Sequence, residues 1–329
     1  MKHILVTGCP RSGTTFLGTV LALPPEVGYI REPFNRQYGL DGLSHDFTYL
    51  YPGMRDEEFY GDLIQKLVEG RASFQRLPLK AEPTKRQLGR LLFKSGSNFT
   101  YLKAKYHPAT RRYLLKDPMA TLASQYFHRR FDMEVVVIVR HPIPILTSMR
   151  RVGTDHDLTD LISQPRLYQK YLKPILGKTD INRLPLLERQ ALLWTSLNLV
   201  LSDFVRNNPD FIVLRHKDIA SKPFENFKRL YSRLGLEYTD TVDRRIQQLT
   251  DRRNIIRVEN GVMHVLKRNS RGLITRRYPS FTAAEERLIH SLTDDVVKLF
   301  FPTTSWPQSP ELLNFLPGAG ESLVGVGSS

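Results

Sequence analysis

The chain has one cysteine in 329 residues. A lone thiol excludes an intramolecular disulfide and any cysteine-based zinc cluster. No apolar run reaches the ~18 residues that a membrane-spanning helix needs. No basic stretch followed by an apolar one precedes the first strand-like residues, so no signal peptide is expected. The histidines, among them His107, His128, His141 and His156, show no metal-ligand spacing, and no segment repeats. These absences together point to a reduced, cytoplasmic protein that works without a metal. Without a secretory route the sequon Asn98-Phe99-Thr100 carries no weight.

What is present is basic and long enough for a large core. Lys and Arg total 48 against 33 Asp and Glu, a formal charge of +15, and 41% of residues are hydrophobic. Such an excess favours nucleotides, polyanions or an anionic membrane face, or else is a solvated surface. No nucleic-acid recognition motif accompanies it, so nucleic acid is not expected as a partner. The Gly- and Ser-rich end, Gly318 to Ser329, reads as a disordered tail.

Short apolar runs at Ile4–Thr7, Tyr113–Leu115, Glu134–Val139 and Phe211–Leu214 read as buried parallel strands. Helical periodicity is clearest over Thr14–Leu23, Leu186–Arg206, Pro223–Leu234 and Ala283–Phe300. Gly235 fits a helix C-cap. The alternation predicts an α/β, P-loop-like three-layer fold with a central parallel sheet flanked by helices. One domain is expected over 1–316. Residues 34–112 are irregular, with a helical patch near Gln87–Phe93, and read as an excursion from the sheet over the acceptor site. The tail spans 317–329.

Two segments carry chemistry. Directly after the first strand comes Gly8-Cys9-Pro10-Arg11-Ser12-Gly13-Thr14-Thr15, a turn whose N–H groups and following helix suit a phosphate. It nearly matches G-x-x-x-x-G-K-[ST], but Thr14 stands where the lysine would reach the outer phosphates of a triphosphate. The turn therefore suits a nucleotide with a shorter 5′ chain than ATP. Cys9 lies in this turn, where a helix N-terminus and Arg11 would lower its pKa and plain packing would not.

The second segment is Glu134–Val139 running into Arg140, His141 and a proline-opened helix that holds Ser148. Arg140 sits at the carboxyl end of its strand, where open α/β sheets bind ligands. Its planar fork and the Ser148 hydroxyl would meet on one anion. The alternative is an arginine tying down a loop carbonyl and a serine facing the core.

Together these segments resemble the sulfotransferases that use 3′-phosphoadenosine-5′-phosphosulfate (PAPS). The 5′ loop is similar to Gly8 through Leu17, and the 3′-phosphate motif to Val139-Arg140 through Ser148. Ile212 to Ile219, followed by Pro223 and a helix to Leu236, resembles the family's late strand and helix. His216-Lys217-Asp218 replaces the usual Tyr-Glu-Asp there. Leu114-Leu115-Lys116-Asp117-Pro118 is similar to the strand end whose lysine approaches the phosphosulfate.

The resemblance implies PAPS as co-substrate and its bisphosphate, PAP, as product. It implies contacts from Pro10, Arg11, Ser12, Gly13, Thr14, Thr15, Arg140 and Ser148, with Arg268 and Arg271 from a basic loop over the 3′-phosphate. Lys116 and Arg11 are the cationic candidates for the reacting sulfate. Glu32, in Arg31-Glu32-Pro33, is the expected base, because carbohydrate and tyrosyl-protein sulfotransferases place a glutamate here. Its alternative role is an ion pair with Arg31, Arg36 or Arg11, and that of Lys116 is a pair with Asp117. The small-molecule branch has a histidine where this chain has Pro118. His128 and His141 are weaker base candidates.

The acceptor implied is a hydroxyl of a glycan or other alcohol. Phe47 to Tyr60 supplies aromatics for stacking, a lipid pocket or core packing. Lys80, Lys85, Arg86, Lys103 and Lys105 would draw in an anionic polymer or simply face water. The rival readings are a nucleotide kinase or NTPase sharing the loop, and a non-catalytic polyanion-binding protein of the same fold.

Overall fold

The computed structural model describes residues 1–77, 91–177, 179–251 and 281–301. Five strands, β1 (Ile4–Thr7), β2 (Val27–Arg31), β3 (Arg112–Lys116), β4 (Glu134–Val139) and β5 (Ile212–Arg215), form one sheet in the order β2-β3-β1-β4-β5. Every neighbouring pair is parallel. The main helices are α1 (Thr14–Leu21), α2 (Glu57–Val68), α3 (Gly96–Tyr106), α4 (Ser124–Phe131), α5 (Pro142–Val152), α6 (Leu186–Asn207), α7 (Pro223–Arg233), α8 (Asp240–Thr250) and α9 (Ala283–Phe300).

β4 shows why the sheet sits in the middle. Val135, Val137 and Val139 pack on one face with Ile145, Leu146, Leu193 and Trp194. Val136 and Ile138 pack on the other with Leu17, Val20, Phe227 and Leu230. A strand buried on both sides reads as an unbroken apolar run, which is the signature of a covered parallel strand. The expected three-layer α/β architecture is what forms. β1 and β4 begin and end as expected, and α9 matches its expected span.

The described residues of the 34–112 stretch hold more helix than their sequence pattern promises. They include α2 and α3, and an isolated bridge pairs Leu40, before α2, with Phe74, after it. Tyr60, Ile64 and Leu67 give α2 a buried stripe at helical spacing. The start of α3 is capped by Ser95, whose hydroxyl accepts the Asn98 N–H at 3.2 Å. Its apolar content is too thin for periodicity to find it. Of the patch expected near Gln87–Phe93, residues 91–93 are helical and the rest lies outside the described residues.

Chain order β1-β2-β3 runs to one side of β1, and β4-β5 to the other. This reversal makes the carboxyl ends of β1, β3 and β4 the natural ligand position. The register is specific: Val6 lies beside Lys116, Thr7 beside Val137, and Arg31 beside Lys116. The phosphate-type turn, Lys116 and the residue after Arg31 are thus gathered at one rim.

Two glycines separate shape from stability. A Cβ on Gly8 (φ 144°) would lie 2.2 Å from the Ile138 carbonyl oxygen, so Gly8→Ala should lower stability by ~1–3 kcal/mol. Gly61, inside α2, would bring its Cβ no closer than 3.6 Å to the Tyr126 hydroxyl. Gly61→Ala should therefore raise stability by about 0.5–1 kcal/mol. Urea unfolding midpoints of the two variants should move in opposite directions.

Candidate active site

A cavity of about 440 Å³ opens at this rim. Its walls include Pro10, Arg11, Gly13, Thr14 and Thr15 from the turn, Arg140 and Ser148 from the second anion segment, and Glu32. The expected residues that are described therefore converge, with Ser12 and Lys116 buried just behind the surface. Arg268 and Arg271 lie outside the described residues, as do Lys80, Lys85, Arg86 and the tail.

The turn is held by its backbone. The Ser12 N–H donates to the Cys9 carbonyl at 3.0 Å, and Gly13 takes φ 114° at the start of α1. A Cβ on Gly13 would come 2.9 Å from the His216 ring. His216 therefore packs against the turn and lines the cavity. Cys9 is buried, and burial pushes its thiol upward, so packing is its role and activation is not.

Arg11 joins the two anion segments. Its Nε donates to Ser148 Oγ at 3.0 Å, and Arg140 Nη1 donates to the Arg11 carbonyl at 3.1 Å. The Trp194 indole donates to the Arg140 carbonyl at 3.0 Å, which ties this corner to α6. Arg11 carries φ 71° and Glu32 φ 46°, both left-handed and both non-glycine. Strained backbone of this kind persists where the surroundings over-determine it, often at functional sites.

Glu32 follows β2, anchored by its N–H on the Lys116 carbonyl at 2.8 Å. Its side chain meets neither Arg36 nor Arg11. The Lys116 ammonium donates to Oε1, the Tyr38 hydroxyl donates to Oε2, and Arg31 Nε stands 4.0 Å away. Lys116 pairs with Glu32, so the expected alternative of a Lys116–Asp117 pair does not form. Lys116 is 1% exposed and Glu32 7%.

Burial raises the Glu32 pKa, but the Lys116 charge and the hydrogen bonds from Lys116 and Tyr38 outweigh it and hold the carboxyl below its usual range. Burial lowers the Lys116 pKa, only partly offset by Glu32. Burial and the Glu32 charge push the Tyr38 phenol up, so it stays a donor.

Sequence reasoning missed Tyr38, Asp46 and His156 on the cavity wall. Each is a lone polar residue in loop sequence with no spacing signal. His128 binds the Met133 carbonyl at 3.0 Å, and burial lowers His141 to about 4 beside Phe301. Neither lines the cavity. Phe47, Tyr49 and Tyr60 are core residues. Among the described residues no cluster of His, Cys, Asp and Glu could hold a metal ion, and no helix is long and apolar enough to cross a membrane.

Fold and site define a parallel α/β protein with the Gly8–Thr15 turn at its switch point. The chain belongs to the sulfotransferase family, whose model matches residues 3–240. Comparison with curated proteins finds no match. Among solved structures it is similar to mouse sulfotransferase SULT7A1 complexed with PAP. That match has 13% identity and a TM-score of 0.39, over 92% of this chain and 86% of that one. It is also similar to the sulfotransferase domain from the curacin biosynthetic pathway, at 15% identity and TM-score 0.43, over 88% and 97%. A third is the sulfotransferase domain from the Synechococcus PCC 7002 olefin synthase, at 13% and 0.38, over 88% and 93%. The family assignment rests on the family model, which does not favour the kinase or polyanion-binding readings.

The buried pair should show strong coupling. Lys116→Met leaves a buried carboxylate unpaired and should cost ~3–5 kcal/mol, while Lys116→Met combined with Glu32→Gln should recover much of the loss. Urea unfolding of the four proteins measures the cycle, and additive losses would show the pair to be uncoupled.

Proposed function

We propose that this protein transfers a sulfuryl group from PAPS to an acceptor hydroxyl, of a glycan or other alcohol, with Glu32 as base. The supporting observation is a single cavity whose wall holds the Gly8–Thr15 turn, the Arg140–Ser148 pair and the Glu32 carboxylate.

The residues present fit the donor. Ser12 Oγ is buried without a hydrogen-bond partner among the described residues, as expected of a group awaiting a phosphate oxygen. Gly8 and Gly13 leave no space for a side chain, so backbone N–H groups would face the 5′-phosphate. Arg140, Ser148 and Arg11 would hold the 3′-phosphate. Arg11, bonded to Ser148 through its Nε, would serve this phosphate and remains a cationic candidate for the reacting sulfate.

In the transfer, the acceptor oxygen forms a bond to sulfur in line with the bond that breaks. The electron pair of that bond goes to the 5′-phosphate oxygen of the leaving bisphosphate, and the acceptor proton goes to Glu32. Placing charge where the leaving oxygen gains it is the main catalytic resource, as in phosphoryl transfer. Lys116 supplies that charge.

Lys116 and Glu32 hold each other in the structure, so the reaction requires an exchange of partners. When the ammonium turns to the donor, the carboxylate loses the neighbour that depresses its pKa while it stays buried. Its proton affinity then rises, where a general base is needed.

The cavity wall also includes Asn35, Gln37, Asp46 and His156. Hydrogen-bonding groups of this kind suit a polyhydroxylated acceptor. The buried aromatics Phe47, Tyr49 and Tyr60 offer it no stacking surface.

PAP should raise the thermal unfolding midpoint, and Mg-ATP should not. Arg140→Ala should erase most of the PAP effect. Glu32→Gln should cut turnover by ~10²–10⁴-fold, with PAP binding retained. The readout is transfer of ³⁵S from labelled PAPS to a panel of glycans, phenols and lipid alcohols. A fully active Glu32→Gln variant would remove the base assignment, and an unresponsive melting curve would remove the donor.

A further inference from the structure

Asp117 follows Lys116 at the end of β3 and is completely buried. Its backbone is fixed to β1: its N–H donates to the Val6 carbonyl at 2.9 Å, and its carbonyl accepts the Thr7 hydroxyl at 2.8 Å. Its side chain instead holds the two loops beside the reacting groups. Oδ2 accepts the Phe34 N–H, and Oδ1 accepts the Met119 N–H at 2.8 Å.

Phe34 lies two residues beyond Glu32, across Pro33, which has no N–H to offer. The turn that puts Glu32 at φ 46° is therefore fastened to β3 on both sides. Before the proline, the Glu32 N–H binds the Lys116 carbonyl. After it, the Phe34 N–H binds the Asp117 carboxylate. Met119, on the other loop held by Asp117, lines the same cavity as Glu32.

We propose that Asp117 is the positioning residue of the transfer, its ionised carboxylate clamping the Glu32 turn and the Pro118–Met119 loop at one fixed separation. This rests on Glu32 being the base. Two N–H donors converge on two oxygens, and only an ionised carboxylate accepts both at full strength, because a protonated one turns an acceptor into a donor. The clamp acts on geometry, and catalysis is sensitive to displacements of about 1 Å.

The charged groups facing Asp117 are Glu32 at the end of β2 and Lys116 on β3, with the neutral phenols of Tyr29 and Tyr38 nearby. Burial, reinforced by the Glu32 charge, pushes Asp117 up to about 7, and Lys116 with the two N–H bonds offsets this in part. As pH falls through that value the carboxyl takes a proton and the clamp weakens. kcat/KM for PAPS should therefore decline on the acid side near pH 7, because it reads the free enzyme, in which Glu32 is paired with Lys116 and held low.

Asp117→Asn keeps the size but has one oxygen, and its NH₂ would face an N–H. The probe is release of ³⁵S-sulfate from labelled PAPS to water, which needs no identified acceptor. Asp117→Asn should lower kcat roughly 10- to 100-fold, leave the PAP dissociation constant unchanged, and lose the acid limb. Wild-type kcat in the variant, or an acid limb that persists in it, overturns the proposal.

Should the variant fail to fold, the wild-type profile decides. An acid limb near pH 7 in kcat/KM for PAPS, where Glu32 is still paired and held low, supports the clamp, and a flat kcat/KM through that region overturns it. Glu32→Gln separates the two readings. If it is fully active, the base assignment falls and the clamp with it; if it is inactive while Asp117→Asn is fully active, the clamp alone falls.

Discussion

The ion pair between Glu32 and Lys116 is the constraint on which the site depends. Withdrawing two charges from water costs several kcal/mol per ion, and their attraction repays it only with good geometry and further hydrogen bonds. Here Tyr38 donates to the second carboxylate oxygen and backbone bonds fix both partners. The pair is also dictated by register. Arg31 lies beside Lys116 in the β2–β3 ladder, so the residue after Arg31 must leave the sheet next to that lysine. A one-residue slip would turn Lys116 to the opposite face of the sheet and leave Glu32 buried without a countercharge. Fold and chemistry therefore stand on the same hydrogen-bond ladder.

The +15 net charge is less informative than its local arrangement. The arginines of the cavity are held in place: Arg11 by Ser148, Arg140 by the Arg11 carbonyl, and Arg36 by Asp160 at 3.0 Å. A guanidinium already aligned loses less freedom when it meets a phosphate than one waving in solvent, so less binding energy is lost to ordering. The wider positive field acts at longer range, raising the encounter rate with an anionic donor and fading with salt.

Much of this was legible in the residues. The turn at Gly8–Thr15 and the strand ending at Arg140 carry spacing that physics requires, and both arrive at one cavity. β4 was readable because a strand covered on both faces has only apolar positions. α3 was not, because its helix is specified by the Ser95 cap and contacts from distant elements. At the site, Glu32 and Lys116 could be singled out one at a time, each assigned a nearby partner in sequence. Their pairing was hidden because it is set by which strands adjoin, and sequence distance says nothing about that across 84 residues. Asp117 reads in sequence as an ion-pair partner for Lys116, whereas its oxygens accept the Phe34 and Met119 N–H groups.

If Glu32 is the base, as proposed, its masking by Lys116 has a logic in this chemistry. PAPS is an activated donor, and a free carboxylate beside it would activate water as readily as an acceptor. With Lys116 and Tyr38 on its two oxygens, Glu32 has little proton affinity until the lysine is drawn away. The donor's anionic bridge is the group that can draw it, since it competes directly for the ammonium. The ammonium would keep a counterion throughout such an exchange, while the buried carboxylate, left without its own, would gain proton affinity. On the proposed mechanism the same exchange would create the base and the leaving-group cation together. Both functions would then depend on a single lysine, and residues that hold the Glu32 turn still while Lys116 moves would matter as much as the pair itself.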